Sequence, residues 1–512
     1  MKSIGICSLA IALALSAAAV LPAADWPSYL GPNHAFADVQ TPPVQLLDDI
    51  TQAKLVWRSE EGGIGFGKAY SQAMKNGFAK GSGLPPSGAA TPILAGGLVI
   101  QFFALPRKPL FEDAPTEDPM KEFELFWAVS GDDVVVAIDA ATGKTRWKQV
   151  FEDQGIGLGA GKRGEFAVTP CAADGRVFAL GTSGRLYGLE LATGKVLWQS
   201  HIGPVHEQIE AAKKTALQTG KRSNAERSRP YGQLLVLDGI LLVPDWAGGV
   251  RGLDPASGKL LWATSDKGGL TSGFNCPVPV VVDGTSYAVC VNGTGDLRLL
   301  DHRSGKVLWT HALTSMHLTW PVFGKELLLA FDAYRDPAAT DKRVAQGGVG
   351  VLAGYRLSLT GAQRVWQLDP KLYSTHLYLD AGPSRKIATR RDGIVFHGAH
   401  GGSTGRLAVI EEATGKVLNP PDDVAHFWSI NLWGNRMFFQ TDIQHGGHAP
   451  WRVYNPDPAT FALLSEAKFP SDCNRACGYE IPLHEIYANG FVYVREWKDR
   501  WGGISCYDLR KP

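Results

Sequence analysis

The chain repeats one pattern of apolar and polar residues, which reads LYGLELATGKVLW from Leu186 to Trp198. Clear copies end at Trp147, Trp262 and Trp309, and weaker copies end at Trp366 and Leu418. In each copy an apolar run typical of a strand stops at a small polar turn, and a second short strand follows. Glycines such as Gly194 supply the positive φ that a tight turn needs. The pattern therefore predicts hairpins at a nearly fixed period.

These hairpins predict a ring of stacked sheets, because a lone hairpin is at best marginally stable in water. Counting by the closing strand gives eight units of four strands, which end near Trp147, Trp198, Trp262, Trp309, Trp366, Leu418, Leu463 and Trp57. For the second unit we expect strands over 166–172, 176–181, 185–190 and 195–200. The strand around Trp57 has no local partners, so we expect it to pair with strands at 491–495 and 504–509. That pairing would remove the exposed sheet edges.

The predicted fold is all-β, an eight-bladed β-propeller of four-stranded antiparallel blades whose ring the N-terminal strand closes. We assign the propeller to residues 55–512, with a helical insert at about 204–230. Residues 25–54 form an extended lead-in that reads as irregular surface chain. Residues 1–24 read as a signal peptide with a positive start, a short apolar core and small residues for cleavage.

Charge and hydropathy limit the partners and the location. The formal net charge of the 512 residues is +1, so no global field favours nucleic acid. No apolar run is long enough for a transmembrane segment. Cys7 lies inside the apolar core of the signal, too early for a lipoprotein cysteine. We therefore expect a monomer, periplasmic or secreted, that is not anchored by lipid.

The repeat resembles the pyrroloquinoline-quinone-like (PQQ-like) β-propeller family. The resemblance is carried by D-x-x-[ST]-G-K-x-x-W, as in Asp139 to Trp147 and Asp254 to Trp262. It covers nearly the whole mature chain and implies an eight-bladed propeller. Members include quinoprotein dehydrogenases, the propeller component (BamB) of the outer-membrane assembly machinery, and many exported proteins of unknown activity. Fold alone does not choose among these functions.

Histidines are concentrated on one predicted face of the ring. In a four-stranded meander, the turns between first and second and between third and fourth strands share one face. The histidines fall opposite, at the beginning of the first strands of blades five to eight and in loops between second and third strands. This group comprises His317, His376, His426, His484, His397, His400, His445 and His448, eight of the thirteen histidines, with Glu485 beside them.

Such a group could serve several kinds of chemistry. Neutral imidazoles that converge with Glu485 could hold a transition metal, bind an anion or shuttle protons. The alternative is that these side chains fill the mouth of the channel and form hydrogen bonds there. The two HxxH sequences lie in glycine-rich loops, without the helical spacing and the Glu of a zinc hydrolase motif.

The resemblance also raises the question of a quinone cofactor. The dehydrogenases of the family stack pyrroloquinoline quinone between a Trp and a disulfide of adjacent cysteines, with a Ca²⁺ ion and an Asp base. This chain has no two adjacent cysteines, and no catalytic residue can be carried over. Our first hypothesis is thus an exported propeller that binds a protein or small ligand at the histidine-rich face. The alternative is an oxidoreductase that uses PQQ with calcium or a transition metal.

Overall fold

The structure is a computed structural model of the chain. It describes residues 25–64, 90–109, 129–157, 168–181, 183–202, 233–244, 249–264, 277–291, 296–313, 322–323, 327–339, 345–346, 349–376, 388–400, 405–419, 422–424, 427–441, 450–475, 485–498 and 501–512. The predicted signal peptide and the predicted helical insert lie outside these residues. Among the described residues, no helix has the length and the apolar character needed to cross a membrane.

The first four sheets follow one another along the chain, each with four antiparallel strands. Blade one holds β2 (Ile93–Ala95), β3 (Leu98–Pro109), β4 (Val129–Asp139) and β5 (Thr145–Gly157). Blade two holds β6 (Cys171–Ala173), β7 (Arg176–Leu180), β8 (Arg185–Glu190) and β9 (Val196–His201). Blade three holds β10 (Leu235–Leu237), β11 (Ile240–Pro244), β12 (Val250–Leu253) and β13 (Leu260–Ala263). Blade four holds β14 (Val278–Val282), β15 (Thr285–Val291), β16 (Asp296–Asp301) and β17 (Lys306–Ala312).

The next three sheets repeat this order. Blade five holds β18 (Val322–Phe323), β19 (Leu328–Tyr334), β20 (Val349–Ser358) and β21 (Gly361–Gln367), and after a short helix α1 (Pro370–Tyr373) strand β22 (Ser374–His376) pairs with β20. Blade six holds β23 (Ala388–Arg391), β24 (Ile394–His400), β25 (Gly405–Glu411) and β26 (Asp422–Val424). Blade seven holds β27 (Phe427–Trp433), β28 (Arg436–Thr441), β29 (Pro450–Asn455) and β30 (Ala462–Lys468).

The eighth blade joins the two ends of the chain. It holds β31 (Asn474–Arg475), β32 (Ile486–Ala488), β33 (Phe491–Lys498) and β34 (Trp501–Asp508), and its outer strand is β1 (Lys54–Arg58), which follows a 3₁₀ helix at Ile50–Gln52. Trp57 lies opposite Cys506, and Lys54 lies opposite Asp508. The predicted all-β eight-bladed propeller and its closure by the N-terminal strand are confirmed.

The first strand of each blade lies nearest the centre of the ring. First strands of successive blades contact each other, as β2 does with β6 and with β32. All residues of β2 and β32 are buried, whereas the outer strand β30 is largely exposed. The apolar core therefore lies between the blades and around the central channel.

Glycine and tryptophan of the repeat meet at the boundary between neighbouring blades. The indole Nε1 of Trp147 in blade one donates to the carbonyl of Leu191 in blade two, at 2.9 Å. Gly194 has a φ of +71°, and a Cβ there would lie 2.5 Å from the Trp147 ring. The same pairing joins the ring ends, because Trp57 packs on Gly143 and donates to the carbonyl of Ala140 at 3.0 Å. The motif thus connects blades as well as turning the chain.

Candidate functional site

The connections between strands are divided between the two faces of the ring. Turns between first and second strands lie beside turns between third and fourth strands, since Ala140 N donates to Gly97 O and Leu191 N donates to Gly175 O, both at 2.9 Å. We call this side the turn face. The opposite side, where the first strands begin, is the start face. The predicted division of the connections between two faces agrees with these contacts.

The lead-in enters the channel from the turn face. The Asp25 carboxylate accepts from Gly96 N, in the turn after β2, at 3.0 Å. Trp26 then pairs antiparallel with Leu94, with hydrogen bonds of 2.8 and 3.0 Å. Because β2 runs from the start face to the turn face, the antiparallel lead-in runs inward.

The lead-in then returns to the turn face along blade seven. Ala37 pairs parallel with Leu432 of β27, and Asp38 N donates to Leu432 O at 3.1 Å. The Asp38 carboxylate accepts from Gly434 N at 3.2 Å and pairs with the guanidinium of Arg391. Residues 25–38 therefore form a hairpin inside the ring, which we call the lead-in hairpin. The expectation that this lead-in lies on the surface is wrong here, since Trp26, Leu30 and Ala37 are buried.

The hairpin reaches the level at which the first strands begin. Leu30 N donates to the side chain of Gln233, two residues before β10, at 3.1 Å. On the returning arm, the Thr389 hydroxyl in blade six donates to Ala35 O at 2.7 Å. The hairpin thus connects blades on opposite sides of the ring.

A layer of buried polar side chains lies near the start face, between blades seven and eight. Glu485 directly precedes β32, is 4% exposed, and accepts from Gln440 Nε2 at 2.7 Å. Gln440 Oε1 accepts from the Ser429 hydroxyl at 3.1 Å, and Asn431 Nδ2 donates to the same hydroxyl at 3.3 Å. The polar groups form a continuous chain that ends on a carboxylate.

The polar layer continues between blades eight and one. Arg495 is 3% exposed and donates through Nη1 to the carbonyl of Ala90 at 3.0 Å. Gln101 Nε2 donates to the same carbonyl at 2.8 Å. Burial lowers the pKa of the Arg495 guanidinium to about 9, so the group stays charged at neutral pH. Amide, hydroxyl, carboxylate and guanidinium groups in one layer suit recognition of a polar ligand.

Few of the predicted site residues have described side chains. His317, His426, His445, His448 and His484 lie outside the described residues. For His376 and His400 the structure describes the backbone alone. Among the predicted site residues, side chains are therefore described only for His397 and Glu485.

His397 lies in a strand and not in the predicted loop. It occupies the middle of β24, opposite Ala388 and Ala408, and is fully buried. Its ring centroid is 5.5 Å from that of Phe331 in blade five. The glycine that follows does not end the strand, which continues to His400.

His376 belongs to a different blade from the one expected. The sequence predicts it at the beginning of the first strand of blade six. The structure pairs it with Val349 of β20 in blade five, and the first strand of blade six begins later, at Ala388. For Glu485 the predicted place at the beginning of a first strand agrees with the structure.

The sequence offered one signal that would have located these first strands. In six blades the turn after the first strand is a two-residue Asx-Gly or Gly-Gly pair with positive φ at both positions, such as Asp174-Gly175 and Asp238-Gly239. These are the residues that tight hairpins of this type favour. No such signal marks the lead-in hairpin, because its partners are far away in sequence.

The described residues do not form the quinone site that the resemblance implies. The chain lacks adjacent cysteines, and the lead-in hairpin occupies the channel on the side of the turn face. In the part of the chain that the structure describes, no three His, Cys, Asp or Glu side chains are grouped as a metal ion would require.

Comparison with known proteins places the repeat in one family. The family model described as outer membrane protein assembly factor BamB matches residues 49–237 and 247–420. The BamB of Yersinia pestis is 26% identical over 178 residues, which cover 34% of this chain and 44% of that protein. The chain thus matches less than half the length of this relative.

The chain is also similar to solved structures. BamB from Moraxella catarrhalis is 16% identical, with 61% of this chain and 78% of that chain covered and a TM-score of 0.36. The quinohemoprotein alcohol dehydrogenase of Comamonas testosteroni is 14% identical, with 96% and 81% covered and a TM-score of 0.49.

Proposed function

This chain belongs to the family of the outer membrane protein assembly factor BamB, and from that premise we propose that it is a cell-envelope propeller that binds a protein partner at its start face. Export to the periplasm or the exterior, directed by residues 1–24, is part of the proposal. The family name concerns assembly of proteins, which favours a protein partner over a small ligand.

The lead-in hairpin is the observation that supports this face most strongly. It enters between the first strands from the turn face, through Trp26 and Leu94, and returns along Leu432. A partner segment that approaches the channel from the turn face would meet this hairpin. The start face has no such obstacle among the described residues, and the polar layer around Glu485 lies near it.

The predicted histidines belong to the same proposal. His317, His376, His426, His484, His400, His445 and His448 are proposed as partner contacts on the start face. His397 is buried between blades five and six, so we propose a supporting role for it. Glu485 is proposed to orient the polar layer through its bond to Gln440.

Site-specific photocrosslinking tests the face directly. A photoreactive amino acid replaces Ala312 or Lys468, exposed residues at the start-face ends of the outer strands β17 and β30. The matched controls are Lys306 and Ala462, exposed at the turn-face ends of the same strands. We expect a defined protein adduct in the cell envelope from the first pair and at least fivefold less from the second. Equal yields, or adducts from the turn face alone, would contradict the proposal.

The purified protein separates this proposal from the oxidoreductase alternative. We expect no stoichiometric uptake of pyrroloquinoline quinone with Ca²⁺, measured by the visible spectrum, and no dye reduction. Metal content is recorded on the same sample. Tight uptake of one quinone per chain, with reduction of the dye, would overturn the binding function in favour of the enzyme.

A further inference from the structure

The tip of the lead-in hairpin has an accessible edge. From Ser28 to Asp38 every residue is buried except three consecutive ones, Pro32, Asn33 and His34, which are partly exposed. The arms of the hairpin run between the tip and the turn face. The exposed edge of the tip therefore lies toward the start face.

The backbone of the tip is held by its own hydrogen bonds. Phe36 N donates to Leu30 O at 2.9 Å and closes the loop. The Asn33 side-chain oxygen accepts from Ala35 N at 2.9 Å and from Ala37 N at 3.2 Å. The loop is therefore fixed in one conformation.

That conformation places His34 in the left-handed region, with a φ of +54°. For a residue with a Cβ this conformation costs on the order of 1–2 kcal/mol, and such strain is retained where the surroundings hold it. Phe36 has the same strain, with a φ of +56°. Strained residues in a buried and bonded loop are found at ligand sites, where strain positions one side chain.

The ring of His34 presents one edge outward. Its Nδ1 has no exposed surface and no hydrogen-bond partner. Burial lowers the pKa of His34 to about 4, so the ring is neutral at neutral pH. A buried bare nitrogen costs less than a buried N–H without an acceptor, which favours the proton on Nε2. The outward edge then carries a hydrogen-bond donor.

Two polar side chains beside the tip already bind the hairpin. Gln233 accepts from Leu30 N and donates to Pro277 O at 3.1 Å. The hydroxyl of Thr389 donates to Ala35 O. These side chains fix the tip in the channel. On the exposed edge of the tip, the Nδ2 of Asn33 and the ring of His34 remain for a ligand.

We infer that the lead-in hairpin closes the channel and forms the floor of the binding site on the start face, where His34 donates a hydrogen bond from Nε2 to a carbonyl or carboxylate oxygen of the partner. This inference rests on the proposed function for the existence of a partner. The closure of the channel and the exposure of the tip do not depend on the existence of a partner.

Cysteine labelling tests whether position 34 is accessible to solvent, and it needs no partner. His34→Cys and the matched control Ala35→Cys are treated, in the folded full-length protein, with a sulfonate-bearing methanethiosulfonate. We expect His34→Cys to react at least tenfold faster than Ala35→Cys, whose position is fully buried, and than the unsubstituted protein. Equal slow rates in the folded protein, with fast labelling of both variants in guanidinium, would overturn the inference.

A second measurement tests the contact with the partner. His34→Asn keeps a residue that tolerates positive φ, so the fold should persist, and removes the donor at that reach. In a protein that carries the photoreactive residue at position 312, His34→Asn should lower the adduct yield at least fivefold. Sulfonate labelling of the His34→Cys variant should lower the adduct yield from position 312 by the same factor. Unchanged yields in both would overturn the contact and leave the proposed function standing. If the protein with native His34 gave no adduct from the start-face positions, the result would count against the proposed function instead.

Discussion

At the scale of single residues, the repeat motif stabilises the boundary between blades. Trp147 packs on Gly194 of the next blade and donates to its Leu191 carbonyl. Trp262 packs in the same way on Gly305, but its indole Nε1 is buried without a hydrogen-bond partner. The sequence identifies both tryptophans as equivalent, so this difference is visible only in the structure.

Substitution of the two tryptophans by Phe should separate packing from hydrogen bonding. Trp147→Phe loses both the packing of the larger ring and a hydrogen bond, whereas Trp262→Phe loses packing alone. We expect Trp147→Phe to lower the free energy of unfolding by about 1 kcal/mol more than Trp262→Phe, the typical net value of such a bond. Urea denaturation measures both. Equal effects would mean that the bond to Leu191 adds nothing to the contact.

Asp38 should make stability depend on pH. Burial raises the pKa of this carboxyl to about 6 despite the pairing with Arg391. A raised acid pKa means that its contribution is fully present below about pH 4 and is lost as the pH rises through about 6. Relative to the Asp38→Asn variant, the free energy of unfolding of the wild type should therefore fall by about 2–3 kcal/mol between pH 4 and pH 7. Denaturation curves of both proteins across this pH range check the direction of the change. If the wild type instead became more stable relative to Asp38→Asn as the pH rises, the ion pair with Arg391 would outweigh the cost of burial.

At the scale of elements, the lead-in hairpin is the part that sequence could not predict. Three strands of blade two were predicted within one residue, because apolar runs and glycine turns alternate there, whereas the first was expected from residue 166 and begins at Cys171. Residues 25–38 have no alternating pattern, and their partners Leu94 and Leu432 are remote in sequence. A segment that forms no sheet of its own, and pairs at single bridges inside a ring, has no periodic signal.

The candidate site was predictable to a similar degree. Glu485 lies where the sequence places it, because the strand after it follows an ordinary apolar pattern ending at Asn489-Gly490. His397 was misplaced because the glycines after it suggest a loop, whereas pairing with β25 keeps that stretch extended. His34 was not predicted, since nothing local marks a buried loop with positive φ.

Gly31 offers a test of the hairpin as a packed element. Its φ is +78°, and a Cβ there would lie 2.6 Å from the Trp26 ring. Gly239 has a φ of +77° with nothing within 4 Å of such a Cβ. Gly31→Ala should cost about 2 kcal/mol more than Gly239→Ala, because the second substitution introduces backbone strain alone. Thermal unfolding compares the two, and equal costs would argue against close packing of the hairpin on Trp26.

At the scale of the whole molecule, the N-terminal region closes the ring twice. Strand β1 completes the outer edge of blade eight, where Trp57 also contacts Gly143 of blade one. The lead-in hairpin crosses the channel, because Leu30 bonds Gln233 before blade three and Ala37 pairs with Leu432 of blade seven, on the opposite side of the ring. Among the described residues the hairpin occupies the channel on the side of the turn face, and the proposed function depends on this asymmetry.

Hydrogen exchange of the lead-in tests this account most directly. Peptides that cover residues 25–38 are followed by mass spectrometry in the folded full-length protein at neutral pH. The backbone bonds of Trp26, Phe36 and Asp38 predict exchange as slow as that of the inner strands β2 and β27. Exchange of these peptides at the rate of an unstructured chain, while the inner strands stay protected, would contradict the closed channel.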